Sequence, residues 1–243
     1  MEPPRYIRNL LPAGKYKFQP VAHHYSHACG GYFTSPFEEA AIVVVDGVGD
    51  LDTVTVWKAE GKKIRKVYGL RYPHSLGLLY SAFTQRVGFL PNCEEYITMG
   101  LSAYGRPRYA ELIEDELLRM DGPLPSMSRS LARGLGEWHP EIHDRENLAA
   151  SVQDVLERHL LRFFAWVRAK VGVRDLVFSG GVALNCVFNS KLARAGLFDR
   201  IWIMPNPGDA GNSLGAALAV TGSHARWRGP SSATTSGRSC RSP

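Results

Sequence analysis

The feature that most constrains the fold is a change of sequence period at Ser75. Before it, β-branched and alternating segments at 38–47, 53–59 and 63–70 predict three strands joined by short turns. Strands joined in this way form an antiparallel meander. After Ser75, a suitable helix N-cap, the period becomes helical, with apolar residues at Leu76, Leu79, Tyr80, Phe83 and Val87.

The second half of the chain alternates between helices and strands. The predicted elements are helices over 109–120, 147–171, 183–195 and 211–220, and strands over 174–181 and 199–205. A meander followed by alternating α and β units predicts an α/β fold, a mixed sheet with helices on both faces. This order resembles the ribonuclease-H-like lobe of the actin, sugar-kinase and Hsp70 superfamily. Residues 106–146 contain an irregular, polar stretch, so we predict an insert or lid-like loop there.

Residues 221–243 hold most of the net charge. The chain has 29 Lys and Arg against 23 Asp and Glu, a formal charge of +6, and four arginines without any acid lie in this segment. Its Ser, Thr, Gly and Pro content predicts a disordered tail. The body is nearly neutral and has no basic stripe, so we expect no nucleic-acid partner.

The cysteines and the hydropathy pattern bear on the compartment. Cys29, Cys93, Cys186 and Cys240 form no CxxC pair, which favours reduced thiols and a cytoplasmic location. No apolar run reaches the roughly 18–20 residues of a membrane span, and the N-terminus lacks a signal-peptide pattern. We therefore expect no membrane partner.

Two histidine pairs have the i, i+4 spacing that places both imidazoles on one face of a helix. His23 and His27 lie in "VAHHYSHACGGYF", and His139 and His143 lie in "WHPEIHD". Side chains at this spacing can present two nitrogen ligands to one metal ion. The second pair straddles Pro140, which disfavours a continuous helix, so we assign it no function. For the first pair, the alternative is that the i, i+4 spacing arose by chance, and the neighbouring motifs must distinguish this from a metal site.

The first predicted strand ends in an acidic, glycine-containing turn, "DGVGD". Asp46 ends a buried run, where a carboxylate needs a partner such as a cation. Gly47 and Gly49 permit unusual dihedral angles, so the N–H groups of the Gly47–Gly49 turn can face a phosphate. An ordinary Asp-Gly hairpin turn is the alternative.

Two later strands also end in turns suited to ligands. In "LVFSGGVALN", Gly180 and Gly181 would let a nucleotide sit against a helix start, with Asn185 facing its ribose or base. In "MPNPGDAGNSLGAALA", Asp209 precedes another helix, where a plain N-cap is the alternative. Because ligand sites lie outside the carboxyl ends of strands, we expect Asp46, Gly180 and Asp209 in one cleft.

Six segments together resemble the O-carbamoyltransferases of the nodulation and antibiotic-biosynthesis type. They are "HHYSHA", "SPFEEAAIVVVDGVGD", "PHSLGLLYSAFTQRVGF", "EYITMGLSAYG", "SGGVALNCVFNSKL" and "PGDAGNSLGAAL", and they occur in this order from about residue 17 to 220. The same stretch is similar to the carbamoyl-transfer domain of the hydrogenase maturation protein and to the tRNA threonylcarbamoyltransferase family.

The resemblance implies a metal-dependent transferase. The implied ligands of a divalent metal, Fe(II) first with Zn(II) or Mn(II) also compatible, are His23, His27, Asp46 and Asp209. The residues implied to hold the nucleotide of carbamoyl-adenylate are Gly47, Val48, Gly49, Gly180, Gly181 and Asn185. The carbamoyl group would pass to a hydroxyl of a small-molecule acceptor. A separate domain or chain would make carbamoyl-adenylate from carbamoyl phosphate and ATP.

Three further expectations follow from the resemblance. His24, beside the implied ligands, is a candidate proton shuttle, with a surface or supporting role as the alternative. Ile97 stands where the family usually has lysine, and Asp50 replaces a usual glutamate. Residues 1–38 would end a preceding lobe and carry the histidine helix, and residues 39–220 would form the second lobe. The chain is therefore expected to be a fragment with impaired activity on its own.

Two other functions fit parts of the pattern. A sugar or acetate kinase of the same superfamily would explain the phosphate-facing turns. It would not explain the histidine pair, because Mg²⁺ prefers oxygen ligands. The third interpretation is a non-enzymatic metal- or nucleotide-binding remnant, or a subunit completed by another chain.

Overall fold

A five-stranded sheet lies at the centre of the computed structural model, which describes residues 5–11, 14 and 16–225. The strands are β1 (Glu39–Gly49), β2 (Asp52–Glu60), β3 (Lys63–Arg71), β4 (Leu118–Arg119), β5 (Ser126–Met127), β6 (Asp175–Ser179) and β7 (Arg200–Trp202). The order in the main sheet is β3-β2-β1-β6-β7, while β4 and β5 pair separately.

The main sheet is mixed, as predicted. β1 pairs antiparallel with β2, and β2 with β3, whereas β6 runs parallel to β1 and β7 parallel to β6. Val43 at the middle of β1 lies opposite Val56 of β2 and Phe178 of β6. The run of valines in β1 is buried because this strand is central and covered on both faces.

Helices cover both faces of this sheet, which confirms the predicted α/β class. They are α1 (Arg5–Arg8), α2 (His23–Thr34), α3 (Leu76–Arg86), α4 (Glu95–Leu101), α5 (Ala110–Leu117), α6 (Arg145–Val171), α7 (Cys186–Arg194) and α8 (Asn212–Thr221). Along β1, Val43 and Val45 face the core formed with α3 and α6, while Ile42 and Val44 face α2. The histidine helix thus packs directly on the sheet of the body.

Side-chain caps define where the long helices begin. Ser75 accepts a hydrogen bond from the backbone N–H of Leu78 at 3.0 Å, which confirms it as the N-cap of α3. Asp144 does the same for the N–H of Asn147, so α6 begins at Arg145, two residues earlier than predicted. Gly172, in the left-handed region at φ 77°, ends α6.

The irregular stretch after the helix predicted over 109–120, which was predicted as an insert or lid-like loop, contributes apolar side chains to the core. Its buried apolar side chains are Leu124, Met127, Leu131, Leu135 and Trp138. These apolar residues follow no single helical or strand period, so the sequence pattern did not reveal that they pack together. The short helix α4 was also not predicted.

The chain remains ordered beyond the predicted start of the tail. The N–H of Ala225 donates to the carbonyl of Phe33 at 2.8 Å, and the ring of His224 packs against Tyr32 and Phe33. These contacts with α2 correct the boundary at residue 221. The disorder predicted for residues 226–243 lies outside the described residues. Among the described helices, none has the length and apolar character needed to cross a bilayer.

Candidate metal centre and adjoining cleft

Three separate elements bring the four predicted donors together. His23 and His27 lie one turn apart at the start of α2. Asp46 lies near the end of β1, and Asp209 begins a 3₁₀ turn, Asp209–Gly211, that leads into α8. The pairing between β1 and β2 is irregular between Val45 and Gly49, which lets the backbone around Asp46 leave the regular ladder.

The four donor atoms lie close together, and each imidazole nitrogen is within 3.2 Å of the other three atoms. His23 Nε2 and His27 Nε2 are 3.1 Å apart. Each of these nitrogens lies 3.2 Å from Asp46 Oδ2 and 3.2 Å from Asp209 Oδ1. All four atoms lie within 4.8 Å of one another, and no other group of three or more potential ligands is this close within the described parts of the chain.

The donor set fits a divalent metal ion. A neutral imidazole has one N–H, yet His27 Nε2 has three close neighbours, His23 Nε2 and two carboxylate oxygens. One N–H can form a hydrogen bond with only one of these neighbours, whereas a cation at the centre can accept a lone pair from each of the four donor atoms. Neighbouring ligand atoms bound to one ion at about 2.1 Å are about 3.0–3.4 Å apart, close to the separations of each imidazole nitrogen from the other three atoms. Two imidazoles with two carboxylates suit Fe(II), Zn(II) or Mn(II).

The cluster is buried on one side and open on the other. The side chain of His27 is 2% exposed, whereas that of Asp209 is 72% exposed. Sites that act on a substrate keep such an open side, while purely structural sites are closed.

The ionisation of the cluster follows from its geometry. Burial alone would raise the pKa of the Asp46 carboxyl, but hydrogen bonds from His23 and His27 outweigh burial and hold this pKa well below its usual range. The hydrogen bond to Asp46 raises the pKa of His23 above 6.5, against the opposing effect of burial. Asp46 is therefore a carboxylate at all physiological pH values.

A second layer of contacts holds the histidine helix, and sequence reasoning missed it. The Ser26 hydroxyl lies 2.7 Å from the carbonyl of His23 and 2.8 Å from Asn212 Oδ1. Asn212 Nδ2 in turn lies 3.5 Å from His23 Nε2. The helices α2 and α8 can approach this closely because they meet at Gly30 and Gly215, where a Cβ on Gly215 would lie 2.0 Å from the Ser26 carbonyl.

His24 points away from the four donors and into the protein. Its Nδ1 lies 3.0 Å from the hydroxyl of Thr55, which also accepts from the indole of Trp57 at 2.9 Å. Burial lowers the pKa of His24 to about 4, so the ring is neutral at pH 7. The buried contact with Thr55 matches the supporting role rather than the surface role. The proton-shuttle role remains a prediction.

The open side of the cluster faces a cleft of about 580 Å³. Of the predicted nucleotide-binding residues, Gly47, Val48, Gly181 and Asn185 line it. Asp46, Asp209 and Glu95 line it as well, and none of its described lining residues is Lys, Arg or His. The described residues of the cleft therefore offer an anionic ligand only backbone N–H groups and neutral side chains.

Two predicted nucleotide-binding glycines do not line this cleft. Gly49 lies against His23, and a Cβ on Gly49 would lie 2.1 Å from Cδ2 of that ring. Neither Gly49 nor Gly47 has a positive φ. Gly180 has φ 95° and packs on the carbonyl of Val45, and its N–H donates to Pro207. Gly49 and Gly180 therefore allow neighbouring atoms to pack closely against the backbone.

Asn185 lies at the N-cap of α7 and not inside the helix, which was predicted to begin at residue 183. The chain after the glycine pair first forms a 3₁₀ turn, Gly181–Leu184, and α7 begins at Cys186. Asn185 Oδ1 accepts from the N–H of Phe188 at 2.9 Å, and its amide exchanges hydrogen bonds with Gln153. The protein itself therefore occupies the polar groups that were expected to face a ribose or base.

The second histidine pair lies outside the cluster. His139 Nδ1 lies 2.8 Å from Glu141, and its Nε2 lies 3.1 Å from Glu116.

Ile97, which stands where the family usually has lysine, is half-buried in α4.

The sequence of this fold and cluster matches one known family. Residues 13–123 and 131–218 match the family described as the carbamoyltransferase N-terminus. The chain belongs to the carbamoyltransferase family. This confirms the resemblance noted in the sequence.

Relatives of this carbamoyltransferase-family chain support the assignment. It is 34% identical over 215 residues to the nodulation protein NolNO of Sinorhizobium fredii, covering 83% of this chain and 31% of that protein. It is 35% identical over 208 residues to the nodulation protein NolO of Bradyrhizobium diazoefficiens, covering 82% and 38%. An uncharacterised protein of Synechocystis is 43% identical over 218 residues, covering 82% and 35%. The chain thus spans about a third of the length of these relatives.

Two solved structures share the fold. Full-length HypF in its phosphate- and nucleotide-bound form has a TM-score of 0.50 at 15% identity, covering 82% of this chain and 35% of that one. The activator of the 2-hydroxyisocaproyl-CoA dehydratase from Clostridium difficile has a TM-score of 0.51 at 18% identity, covering 82% and 65%. At these identities the likeness concerns the fold alone.

Proposed function

We propose that this chain carries a carbamoyl-transfer site, at which the carbamoyl group of carbamoyl-adenylate passes to a hydroxyl of a small-molecule acceptor. The observation that carries the proposal is the four-donor cluster opening on a cleft of about 580 Å³, in a chain of the carbamoyltransferase family. The pair of imidazoles also favours this function over a kinase, whose Mg²⁺ needs oxygen ligands.

The chain's own residues would bind and orient the donor. His23, His27, Asp46 and Asp209 would hold a divalent cation, Fe(II) first, with Zn(II) or Mn(II) as alternatives. When bound, such a cation supplies a Lewis acid that draws charge from a carbonyl or phosphoryl oxygen. The phosphate would meet backbone groups around Gly47 and Gly181, since no basic side chain lines the described cleft.

The nucleoside would lie along the apolar part of the cleft. Leu78, Val182 and Leu184 line this region, and Leu184 is 60% exposed, which leaves it free to contact a ligand. A largely apolar wall with a few polar groups at one end is typical of small-molecule sites.

The overall step balances without an oxidant or reductant. The acceptor oxygen forms a bond to the carbamoyl carbon, and the bond from that carbon to the phosphate oxygen breaks. The products are the O-carbamoylated acceptor, AMP and one proton. Carbamoyl-adenylate would come from carbamoyl phosphate and ATP in a separate adenylate-forming chain or domain.

The proposal is tested by release of AMP from carbamoyl-adenylate. An adenylate-forming domain supplies the intermediate from carbamoyl phosphate and ATP, and AMP is measured with and without this chain, reconstituted with Fe(II). We expect the chain to accelerate release, Asp46→Asn to abolish the acceleration, and His139→Ala to preserve it. AMP release that is independent of the chain, or unaffected by Asp46→Asn, would refute the proposal.

A further inference from the structure

The first residue of the histidine helix has no N-cap of its own. The residue in the N-cap position of α2 is Ala22, which makes no side-chain hydrogen bond. Instead the carboxylate of Asp50 accepts from the backbone N–H of His23, with Oδ2 3.0 Å from the nitrogen. An acidic side chain from the turn between β1 and β2 therefore does what a local cap does in most helices.

Asp50 makes this contact from an unusual backbone conformation. Its φ is 56°, in the left-handed region that residues other than glycine, asparagine and aspartate rarely adopt. The turn is thus shaped so that the Asp50 side chain reaches across to α2, 27 positions earlier in the sequence.

The neighbouring residue, Gly49, makes room for the imidazole of His23. A Cβ at position 49 would lie 2.1 Å from Cδ2, 2.7 Å from Cγ and 2.8 Å from Nε2 of His23. The side chain at this position must be absent for the ring to lie where it does. Gly47, in the same turn, has no such constraint, because its Cβ would meet only Leu78 at an ordinary 3.7 Å.

We propose that Gly49 and Asp50 are positioning residues for the metal centre: Asp50 anchors the start of α2, and Gly49 leaves the space in which the His23 ring turns its Nε2 toward Asp46 and Asp209. The inference rests on the proposed metal centre. In this proposal Gly49 positions the His23 ring, while Gly47 and Val48 line the cleft.

Cobalt(II) binding tests the proposal, because its visible absorption reports the number and arrangement of ligands apart from any catalysis. The metal-free chain is titrated with Co(II), and the spectrum and dissociation constant are compared between Gly49→Ala and the control Gly100→Ala, whose added Cβ meets no atom within 4 Å. We expect Gly49→Ala to weaken binding about 10- to 100-fold and to alter the spectrum, the range typical of lost ligand support. Gly100→Ala should stay within about twofold of the unaltered chain.

Asp50 gives an independent readout that does not depend on the folding of Gly49→Ala. Asp50→Asn keeps an acceptor oxygen and tolerates the left-handed backbone, so it should retain Co(II) binding. Asp50→Ala loses both features and should weaken binding. In the His23→Ala background, adding Gly49→Ala should change residual Co(II) affinity by less than about twofold, because the ring that needs the space is gone.

The outcomes separate the two proposals. If the unaltered chain binds no Co(II), the metal centre itself is refuted, and the positioning role with it. If the unaltered chain binds Co(II) but Gly49→Ala behaves like Gly100→Ala, or Asp50→Ala like Asp50→Asn, the positioning role is refuted and the metal centre stands.

Discussion

His27 Nε2 and Asp209 Oδ1 lie 3.2 Å apart, although 182 positions separate the two residues in the sequence. The close crossing of α2 and α8 makes this possible, since Gly215 of α8 packs on the Ser26 carbonyl of α2. The geometry of the donor cluster therefore depends on a glycine that itself provides no ligand.

The glycine at this crossing should be needed for both stability and metal binding. Gly215→Ala would place a Cβ 2.0 Å from the Ser26 carbonyl and push α8 away from α2. We expect a loss of about 1–3 kcal/mol in the free energy of unfolding, measured in urea, and weaker metal binding. Gly100→Ala is the matched control, because this helical glycine has no atom within 4 Å of its added Cβ. If both variants bind metal equally well, the crossing does not position Asp209.

His24 should make the metal-free protein sensitive to acid. Its pKa in the folded state is lowered to about 4, so the unfolded chain takes up a proton first as pH falls below 6.5. Stability is thus lost between pH 6.5 and 4, on the order of 3 kcal/mol in all. His24→Asn removes the titration and keeps an amide near Thr55. Urea unfolding at several pH values in a chelator should show a flatter pH dependence for this variant, and equal slopes would contradict the assignment.

Metal uptake should release protons near neutral pH. Asp46 raises the pKa of His23 above 6.5, so at pH 6.5 most His23 rings carry a proton that must leave before the nitrogen can bind a metal. Calorimetric titration in buffers of different ionisation enthalpy should show about half a proton or more released per ion at pH 6.5, and the number released should fall as pH rises. Uptake without proton release at pH 6.5 would show that His23 is not a ligand.

The segment around Leu135, which the sequence predicted as an insert or lid-like loop, should matter for folding because its apolar side chains are part of the core. Leu135 is 1% exposed, so Leu135→Ala should lower the free energy of unfolding by about 2–5 kcal/mol. Leu90→Ala is the control at a side chain that is 59% exposed, and should change stability by less than about 0.5 kcal/mol. Equal, small effects in urea unfolding would show that the segment is a loose lid after all.

The parts of the fold that were predicted correctly depend on local signals. The valine run of β1, the N-cap at Ser75 and the apolar face of α6 each show their structure within a few turns or strand residues. Local signals marked His23 and His27 as one pair on a helix face and Asp46 and Asp209 as carboxylates at strand ends. That these four residues are the ligands of one metal was implied by the family resemblance. Their meeting at 3.1–3.2 Å is observed, whereas metal binding stays a prediction.

The missed features depend on contacts between distant parts of the chain. Gly49 was assigned to a nucleotide, because nothing nearby in the sequence shows that the ring of His23 lies against it. Asn185 was placed inside a helix, because the 3₁₀ turn before α7 has no distinct pattern. The core contacts of Leu135 and Trp138 have no periodic signal either. For Gly49, Leu135 and Trp138 the contacting residues come from other elements.

The metal content of the purified protein tests the central claim most directly. The chain is loaded anaerobically with Fe(II), and unbound Fe(II) is removed by gel filtration. The iron content is then measured by inductively coupled plasma mass spectrometry. We predict one ion per chain for the unaltered protein and for His139→Ala, whose histidine lies outside the cluster. His27→Ala and Asp46→Asn should each retain well under half an ion, because each removes one of four ligands. Unchanged metal content in both of these variants would show that the cluster does not hold the metal.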